Sequence, residues 1–261
     1  MRRALALLSL TLAAALALPA VAAPPDIAGV WVIRPREGRP PQNPPKLTPS
    51  YAAAAARRRA AVQAGYVREV TGMICGQSGG PQLYQIRSPF EIFSGFGRMT
   101  FIFETEMNNQ PHTIYMEEKV QPQNIYPSFN GHSIGHWEGK TLVIDTVGYI
   151  GRGPLIGQVP RTTTSHVTER FTLSPDGQTL TNQLKVEDPQ ALLEPWTATL
   201  VFDHKPNTEE RFEVWCDLDM EALKATDLEG LKDVDPEIAI LLDGSTTDPA
   251  VKIAKAAKAG K

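Results

Sequence analysis

Thr164–Glu187 has the sequence TSHVTERFTLSPDGQTLTNQLKVE, which predicts two β-strands joined by a tight turn. The segments Thr164 to Leu173 and Thr179 to Glu187 are rich in Thr, Val, Leu and Phe, residues that suit extended structure. Between them lies Ser174-Pro175-Asp176-Gly177, whose Pro and Gly supply the backbone angles of a tight turn. The stretch therefore predicts an antiparallel hairpin.

Further hairpins are expected on both sides of this one, because short strand-like segments recur about every ten residues from Tyr84 onward. The paired segments are Phe90–Phe93 with Met99–Glu104, Ser133–Trp137 with Thr141–Thr146, and Thr197–Asp203 with Arg211–Cys216. Sequential hairpins without intervening helices predict an antiparallel meander. Closure into a barrel is the simplest way to leave no exposed edge, and a two-sheet sandwich is the alternative.

The flanking segments have a different character. Ile27 to Arg34 predicts a short strand, and the Pro-rich segment 35–49 is expected to lie extended on the surface. Thr48 and Pro49 predict the start of an Ala-rich helix over 49–64. We therefore predict a single barrel domain over 23–218, followed by a helical extension with a basic tail over 219–261.

The N-terminus predicts export. Residues 1–22 contain Arg2 and Arg3, an apolar run from Ala4 to Leu18, and the small residues Ala20-Val21-Ala22, as in a signal peptide cleaved after Ala22. The alternative is that this segment is a transmembrane anchor, but the apolar run is short for one. The rest of the sequence has no second apolar stretch long enough to span a membrane, so we do not expect stable membrane insertion. A periplasmic or extracellular location is therefore expected.

The charge of the chain and its lack of known motifs exclude several classes of binding partner and cofactor. The chain has 26 basic and 29 acidic residues and no basic cluster within the predicted barrel, so nucleic acid is not an expected partner. It also lacks a nucleotide-binding Gly-rich loop, a serine nucleophile elbow and a zinc-binding signature. We therefore expect neither a cofactor nor a metal, and the oligomeric state stays open.

The hairpin around residues 132–146 concentrates polar and aromatic side chains. Alternate residues of a strand share a face. His132 and His136 therefore point one way, while Ser133 and Trp137 point the other, and Asp145 lies on the neighbouring strand.

A second polar concentration lies in the strand that begins the decisive stretch. His166 and Arg170 share one of its faces, and Glu169 lies on the other. Whichever face lines the barrel thus carries a titratable group that needs a partner or a ligand. A histidine near a carboxylate can act as a general acid or base. The alternative is structural, with Glu169 and Arg170 in rim ion pairs and the histidines capping loops.

Several segments together resemble a large group of exported bacterial proteins whose core is GHS-x-G-x-W-x-G-x-T-L-V-[VI]-[DE]-T. They are Asp26–Trp31, Pro89–Ile92, Ser128–Gly139, Leu142–Thr146, His166–Phe171, Asp188-Pro189, Pro195-Trp196 and Cys216. The resemblance implies a lipocalin-like barrel, which Gly29-Val30-Trp31 also matches. Some members of the group act as cofactor-independent lyases or decarboxylases on aromatic compounds. This chain differs at Thr162–Ser165, where a His-Ser pair is usual, and at Lys140, where Asp is usual.

The resemblance and the residues together predict a barrel that binds a small hydrophobic or aromatic molecule. The leading expectation is acid–base chemistry on an aromatic acid, such as decarboxylation or elimination. His132 would be the acid or base, with Glu169 as its orienting partner and His166 nearby. The expected substrate-binding residues are Arg170, Tyr115, Trp137, His136 and Asp145. The alternatives are a non-catalytic carrier of a hydrophobic ligand and a structural envelope protein.

Cys75 and Cys216 are the two cysteines of the chain, and an oxidising compartment favours a disulfide between them. Closing so long a loop is worth about 4 to 5 kcal/mol on the chain-entropy model. The alternative is a pair of separate buried thiols. Mass spectrometry of the mature protein should show a gain of two hydrogen masses after reduction, whereas free thiols before reduction would contradict the bridge.

Overall fold

Nine strands in the described part of the chain pair into a closed barrel, in the order β1-β11-β10-β9-β6-β5-β4-β3-β2. The computed structural model describes residues 23–34, 44–63, 79–85, 89–104, 111–151 and 153–206. In chain order, the elements are β1 (Gly29–Ile33), α1 (Pro49–Gln63), the 3-10 helix η1 (Gly80–Gln85), β2 (Phe90–Gly95), β3 (Arg98–Phe103), β4 (His112–Tyr115), β5 (His132–Glu138), β6 (Thr141–Val147), β7 (Pro154–Ile156), β8 (Val159–Pro160), β9 (His166–Leu173), β10 (Thr179–Glu187) and β11 (Trp196–Lys205).

The mainly β, lipocalin-like barrel that the sequence predicts is confirmed. The decisive hairpin is β9–β10, in which Phe171 lies opposite Asn182. Its turn is closed by backbone hydrogen bonds from Ser174 N to Thr179 O and from Gly177 N to Ser174 O. The hairpins β2–β3 and β5–β6 also form as expected.

The first and last described strands close the barrel, because β1 pairs with β2 on one side and with β11 on the other. Trp31 of β1 is buried, and its indole Nε1 donates a hydrogen bond to Ile27 O at 3.0 Å. The Gly-x-Trp segment therefore supplies the strand that removes the two edges of the sheet.

Two features of the barrel differ from a simple antiparallel meander. Strand β4 was not predicted, because it has only four residues, and it pairs with β5 in parallel. A parallel neighbour needs a long connection, and here residues 116–131 provide it. The small separate hairpin β7–β8 was not predicted from the sequence either.

The predicted helix is present as α1, and Ala52 N donates to Thr48 O in its first turn. The hydroxyl of Thr48 does not cap it in the expected way. It donates instead to Gln190 O at 2.9 Å, which ties the start of the helix to the loop after β10. No helix in the described ranges combines the length and apolarity needed to cross a membrane.

Other expectations fall on residues outside those described. They concern the signal peptide at 1–22, most of the Pro-rich segment, Cys75, the strand at 211–216 with Cys216, and the extension at 219–261. These remain predictions.

The barrel interior is filled with aromatic side chains. Tyr84, from η1, lies among four phenylalanines of the barrel wall, with ring centroids 5.4 to 6.1 Å apart. These phenylalanines are Phe90, Phe103, Phe171 and Phe202. Because they come from β2, β3, β9 and β11, one tyrosine joins opposite parts of the wall and excludes water between them.

Substitutions at the two glycines that flank β5 can show how closely β5 and β6 approach each other at one end of the hairpin. Gly131 and Gly139 both have positive φ, 71° and 61°, so alanine costs about 1 to 2 kcal/mol at either position. A Cβ at Gly131 would also lie 2.7 Å from Val147 O, whereas Gly139 has open space around it. Gly131→Ala should therefore lower the free energy of unfolding by at least about 1 kcal/mol more than Gly139→Ala, measured by urea denaturation. Equal losses would contradict the close approach of these strands.

Candidate functional site

The alternation of side chains in β5, β6 and β9 divides the expected site residues between two faces of the barrel wall. Ser133, Thr146 and Glu169 point inward and are fully buried. The outward set comprises His132, His136, Asp145, His166 and Arg170. Trp137 has the inward parity of Ser133 and packs against the hydrophobic core.

The expected partnership of His132 with Glu169 is therefore wrong, because the barrel wall separates the two side chains. One position along a strand reverses the direction of the side chain, and the registers of β5, β6 and β9 place them on opposite faces.

On the outer face, hydrogen bonds join four side chains in a row, which we call the outer polar chain: His166, Asp145, Gln121 and His132. His166 Nε2 donates to Asp145 Oδ1 at 2.5 Å. Gln121 Nε2 donates to Asp145 Oδ2 at 3.2 Å and to its backbone carbonyl at 2.9 Å. Gln121 Oε1 lies 3.1 Å from His132 Nδ1. The structure thus brings three expected residues together and adds Gln121.

Gln121 determines which nitrogen of His132 carries a proton. Since its amide nitrogen donates to Asp145, its oxygen must accept, and Nδ1 of His132 must donate. The other ring nitrogen, Nε2, then faces Glu118 Oε2 at 3.6 Å. That oxygen is buried and has no hydrogen-bond partner among the described residues.

A row of planar groups adjoins His132. The Tyr115 ring stacks on the imidazole, with centroids 4.8 Å apart and planes inclined by 10°. The guanidinium carbon of Arg98 lies 5.3 Å from the centroid of the Tyr115 ring. Tyr115 therefore lies between His132 and Arg98, and Arg98 is a cation that the sequence did not single out.

His166 and Asp145 perturb each other as an ion pair does. The hydrogen bond to Asp145 raises the pKa of His166, and the hydrogen bond from His166 lowers the pKa of Asp145. Their side chains are 39% and 32% exposed, so water screens the pair and both groups are accessible from solvent.

The start of β9 holds His166 in place. Asp188 is buried and accepts hydrogen bonds from three hydroxyls just before the strand: Thr162 Oγ1, Thr164 Oγ1 and Ser165 Oγ. The segment Thr162–Ser165 thus anchors the first residue of β9.

Arg170 and His136 do not join the outer polar chain. Arg170 Nη2 donates to Glu138 Oε2 at 2.7 Å, and His136 Nε2 lies 3.2 Å from Glu138 Oε1. The hydrogen bond from Arg170 is the largest cause of the lowered pKa of Glu138. The ion pair anticipated for Arg170 therefore forms, but with Glu138 in place of Glu169.

Inside the barrel, Glu169 Oε1 accepts a hydrogen bond from Asn182 Nδ2 at 2.8 Å. Burial raises the pKa of the Glu169 carboxyl to about 7. His112 Nε2 lies 2.7 Å from Ser133 Oγ, which also hydrogen-bonds Thr146 Oγ1. Because burial lowers the pKa of His112 to about 4, this histidine is neutral at pH 7.

The chain matches no protein-family model and no curated protein. The likeness to the exported group therefore stays a prediction from the motifs. Among the described residues, no three His, Cys, Asp or Glu side chains converge as metal ligands would.

Replacing Asp145 by Asn should show how far the Asp145 carboxylate raises the pKa of His166. The pKa of His166 should fall towards its ordinary value of about 6.5, because the carboxylate that favours the imidazolium is gone. NMR titration of the histidine ring measures this directly. Asp176→Asn, in the β9–β10 turn, is the matched control and should leave the pKa of His166 unchanged.

The Asp145→Asn variant should also differ from the wild type in free energy of unfolding by an amount that depends on pH. A raised histidine pKa contributes stability below about pH 6.5 that is lost as the pH rises through the folded value. A lowered Asp pKa contributes stability above about pH 4 that is lost as the pH falls through its folded value. The difference in free energy of unfolding between the wild type and Asp145→Asn should thus be largest between these limits, and a constant difference from pH 3 to 9 would contradict the pair.

Proposed function

We propose that this protein is an exported β-barrel that binds a small aromatic acid and performs cofactor-independent acid–base chemistry on it, such as decarboxylation or elimination. The observation that carries the proposal is the hydrogen bond between His166 and Asp145 on the accessible outer wall. The outer polar chain would be the reaction site. Export rests on the signal-peptide pattern of residues 1–22.

His166 is suited to proton transfer. Asp145 accepts the proton of Nε2, so the lone pair of a neutral ring lies on Nδ1. This nitrogen makes no hydrogen bond to a described residue, and the side chain is partly exposed. Asp145 orients the ring and stabilises the imidazolium that forms when Nδ1 takes a proton, as a carboxylate does for a catalytic histidine.

Arg98 and Tyr115 supply groups that an aromatic acid can use. A guanidinium binds a carboxylate through two parallel hydrogen bonds, and no carboxylate of the described residues is paired with Arg98. Arg170, the cation expected from the sequence, is already occupied by Glu138. We therefore assign the carboxylate-binding role to Arg98 and aromatic contact to the row of Tyr115 and His132.

The packing of the interior favours a site on the outer wall over a hydrophobic carrier cavity. Tyr84 contacts four phenylalanines across the barrel, in the volume where an apolar guest would lie. A carrier of apolar ligands also gains nothing from a histidine whose pKa is raised by a carboxylate.

The decisive experiment compares His166→Gln with wild type on a panel of hydroxybenzoates and hydroxycinnamates, with products followed by liquid chromatography. Glutamine retains hydrogen bonding but cannot carry the proton. Turnover should fall about 100-fold or more, which is the usual contribution of a general acid or base. His204→Gln is the matched control, because His204 lies on β11 against Trp31, and its turnover should match wild type.

Unchanged turnover in a folded His166→Gln protein would remove this residue from the mechanism. Binding of a panel member without turnover in wild type would favour the carrier function instead. Melting temperatures of both variants separate loss of chemistry from loss of fold.

A further inference from the structure

The tight turn between β2 and β3 carries an aromatic residue where the backbone disfavours one. Gly95 pairs with Arg98, so Phe96 and Gly97 form a two-residue turn, and both have positive φ, 52° and 72°. These angles are typical of a type I′ turn, whose first position usually carries Asn, Asp or Gly. Phenylalanine is bulky and has no polar group that could stabilise a left-handed backbone. Phe96 therefore strains the turn.

The ring of Phe96 does not stabilise the fold by burial either. The residue is fully exposed, so its apolar surface remains in water. Residues with strained backbones cluster at binding and catalytic sites, where the conformation serves function. An exposed aromatic ring on a strained turn therefore indicates contact with another molecule.

Two more aromatic side chains lie close to Arg98 on the outer wall. Tyr115 is directly opposite Arg98 in the β3–β4 pair, and the guanidinium carbon lies 5.3 Å from its ring centroid. Phe93 pairs with Thr100, which makes it the diagonal neighbour of Arg98, and it is 46% exposed. Together with Phe96, two residues from Arg98 in sequence, these side chains form what we call the Arg98 aromatic cluster.

The start of the β4–β5 connection fixes this turn to the strand that carries Tyr115. Met116 N donates a hydrogen bond to Gly97 O at 2.9 Å. The side chain of Glu117 packs so closely against Gly97 that a Cβ there would lie 2.5 Å from its carboxyl carbon. Phe96 and Tyr115 are therefore held at the same end of the barrel.

We propose that the Arg98 aromatic cluster recognises the aromatic acid, with its carboxylate on Arg98 and its ring against Phe93 and Phe96. This inference rests on the proposed function for the class of ligand, and it adds the residues that recognise the ring. A guanidinium binds a carboxylate through two hydrogen bonds, and aromatic pairs attract each other beyond the effect of buried area. An aliphatic acid makes the first contact without the second. The site should therefore prefer aromatic acids to aliphatic acids of the same charge.

Phe96 acts in binding and not in proton transfer, because its side chain has no titratable group. A residue that binds substrate and transition state equally affects KM and leaves kcat unchanged. Loss of the Phe96 ring should therefore raise KM for the aromatic acid at constant kcat.

The test compares the dissociation constants of hydroxybenzoates, hydroxycinnamates and hexanoate, measured by ligand-observed NMR on the full-length protein. Phe96→Asn relieves the strain but removes the ring. Its affinity for the aromatic acids should fall about 5-fold, while its melting temperature should stay equal or rise by about 2 °C. Phe96→Tyr keeps the ring and should retain the affinity.

Leu193→Asn is the matched control, because it also replaces an exposed apolar side chain. Leu193 lies in the β10–β11 connection, and the pairing of β1 with β2 and β11 places this connection at the opposite end of the barrel from the β2–β3 turn. Its affinity for the aromatic acids should match the wild type.

Equal affinity of Phe96→Asn and the wild type for the aromatic acids would overturn the inference, as would a wild type that binds hexanoate equally well. Turnover with a KM that does not change in Phe96→Asn would overturn it and leave the proposed function standing. Binding that depends on Phe96 without turnover would support it and contradict the proposed chemistry. Failure of the wild type to bind any aromatic acid would overturn both.

Discussion

Strand alternation in a closed barrel is the constraint on which both polar sites depend. Once β1 joins β2 and β11, each residue of the wall faces either a packed interior or the outside. In β9, His166 points out and Glu169 points in. The pairing of Asp145 with Thr168 brings Asp145 beside His166 on the outer face. A slip of one residue would exchange the two environments and destroy both sites.

The two faces give ionisable groups opposite properties. Inside, aromatic packing excludes water, and burial raises the pKa of the Glu169 carboxyl. Outside, a hydrogen bond from His166 lowers the pKa of the Asp145 carboxyl. An exposed ion pair of this kind adds about 1 kcal/mol or less to stability. Stability alone therefore does not explain the outer arrangement, and this is why we assign chemistry to it.

Local sequence signals predicted much of the barrel. Turn residues such as Ser174–Gly177 located the hairpins, and alternation correctly grouped His132 with His136 and separated Glu169 from His166. Alternation cannot tell which face is inside, however, and it gives no partner across strands. The pairing of His132 with Glu169 failed for that reason.

The residues that sequence reasoning missed lie where its signals are weak. Gln121 and Glu118 belong to the connection between β4 and β5, which has neither strand nor helix periodicity. Arg98 begins a strand, but its place above Tyr115 follows from the β3–β4 register. The parallel pairing of β4 with β5 brings this connection against the outer wall. No turn motif in the sequence predicts a parallel connection of this kind. The sequence did contain one signal for Gln121: it is a polar residue in a long connection that precedes a histidine-rich hairpin.

The most direct test of the outer site is the tautomer of each histidine, measured by long-range proton–nitrogen NMR on labelled protein above the pKa of His166. The outer polar chain requires His166 to carry its proton on Nε2, towards Asp145, and His132 to carry one on Nδ1, towards Gln121. Finding both assignments would support a base at Nδ1 of His166. A proton on Nδ1 of His166, with Nε2 bare against the carboxylate, would contradict the account.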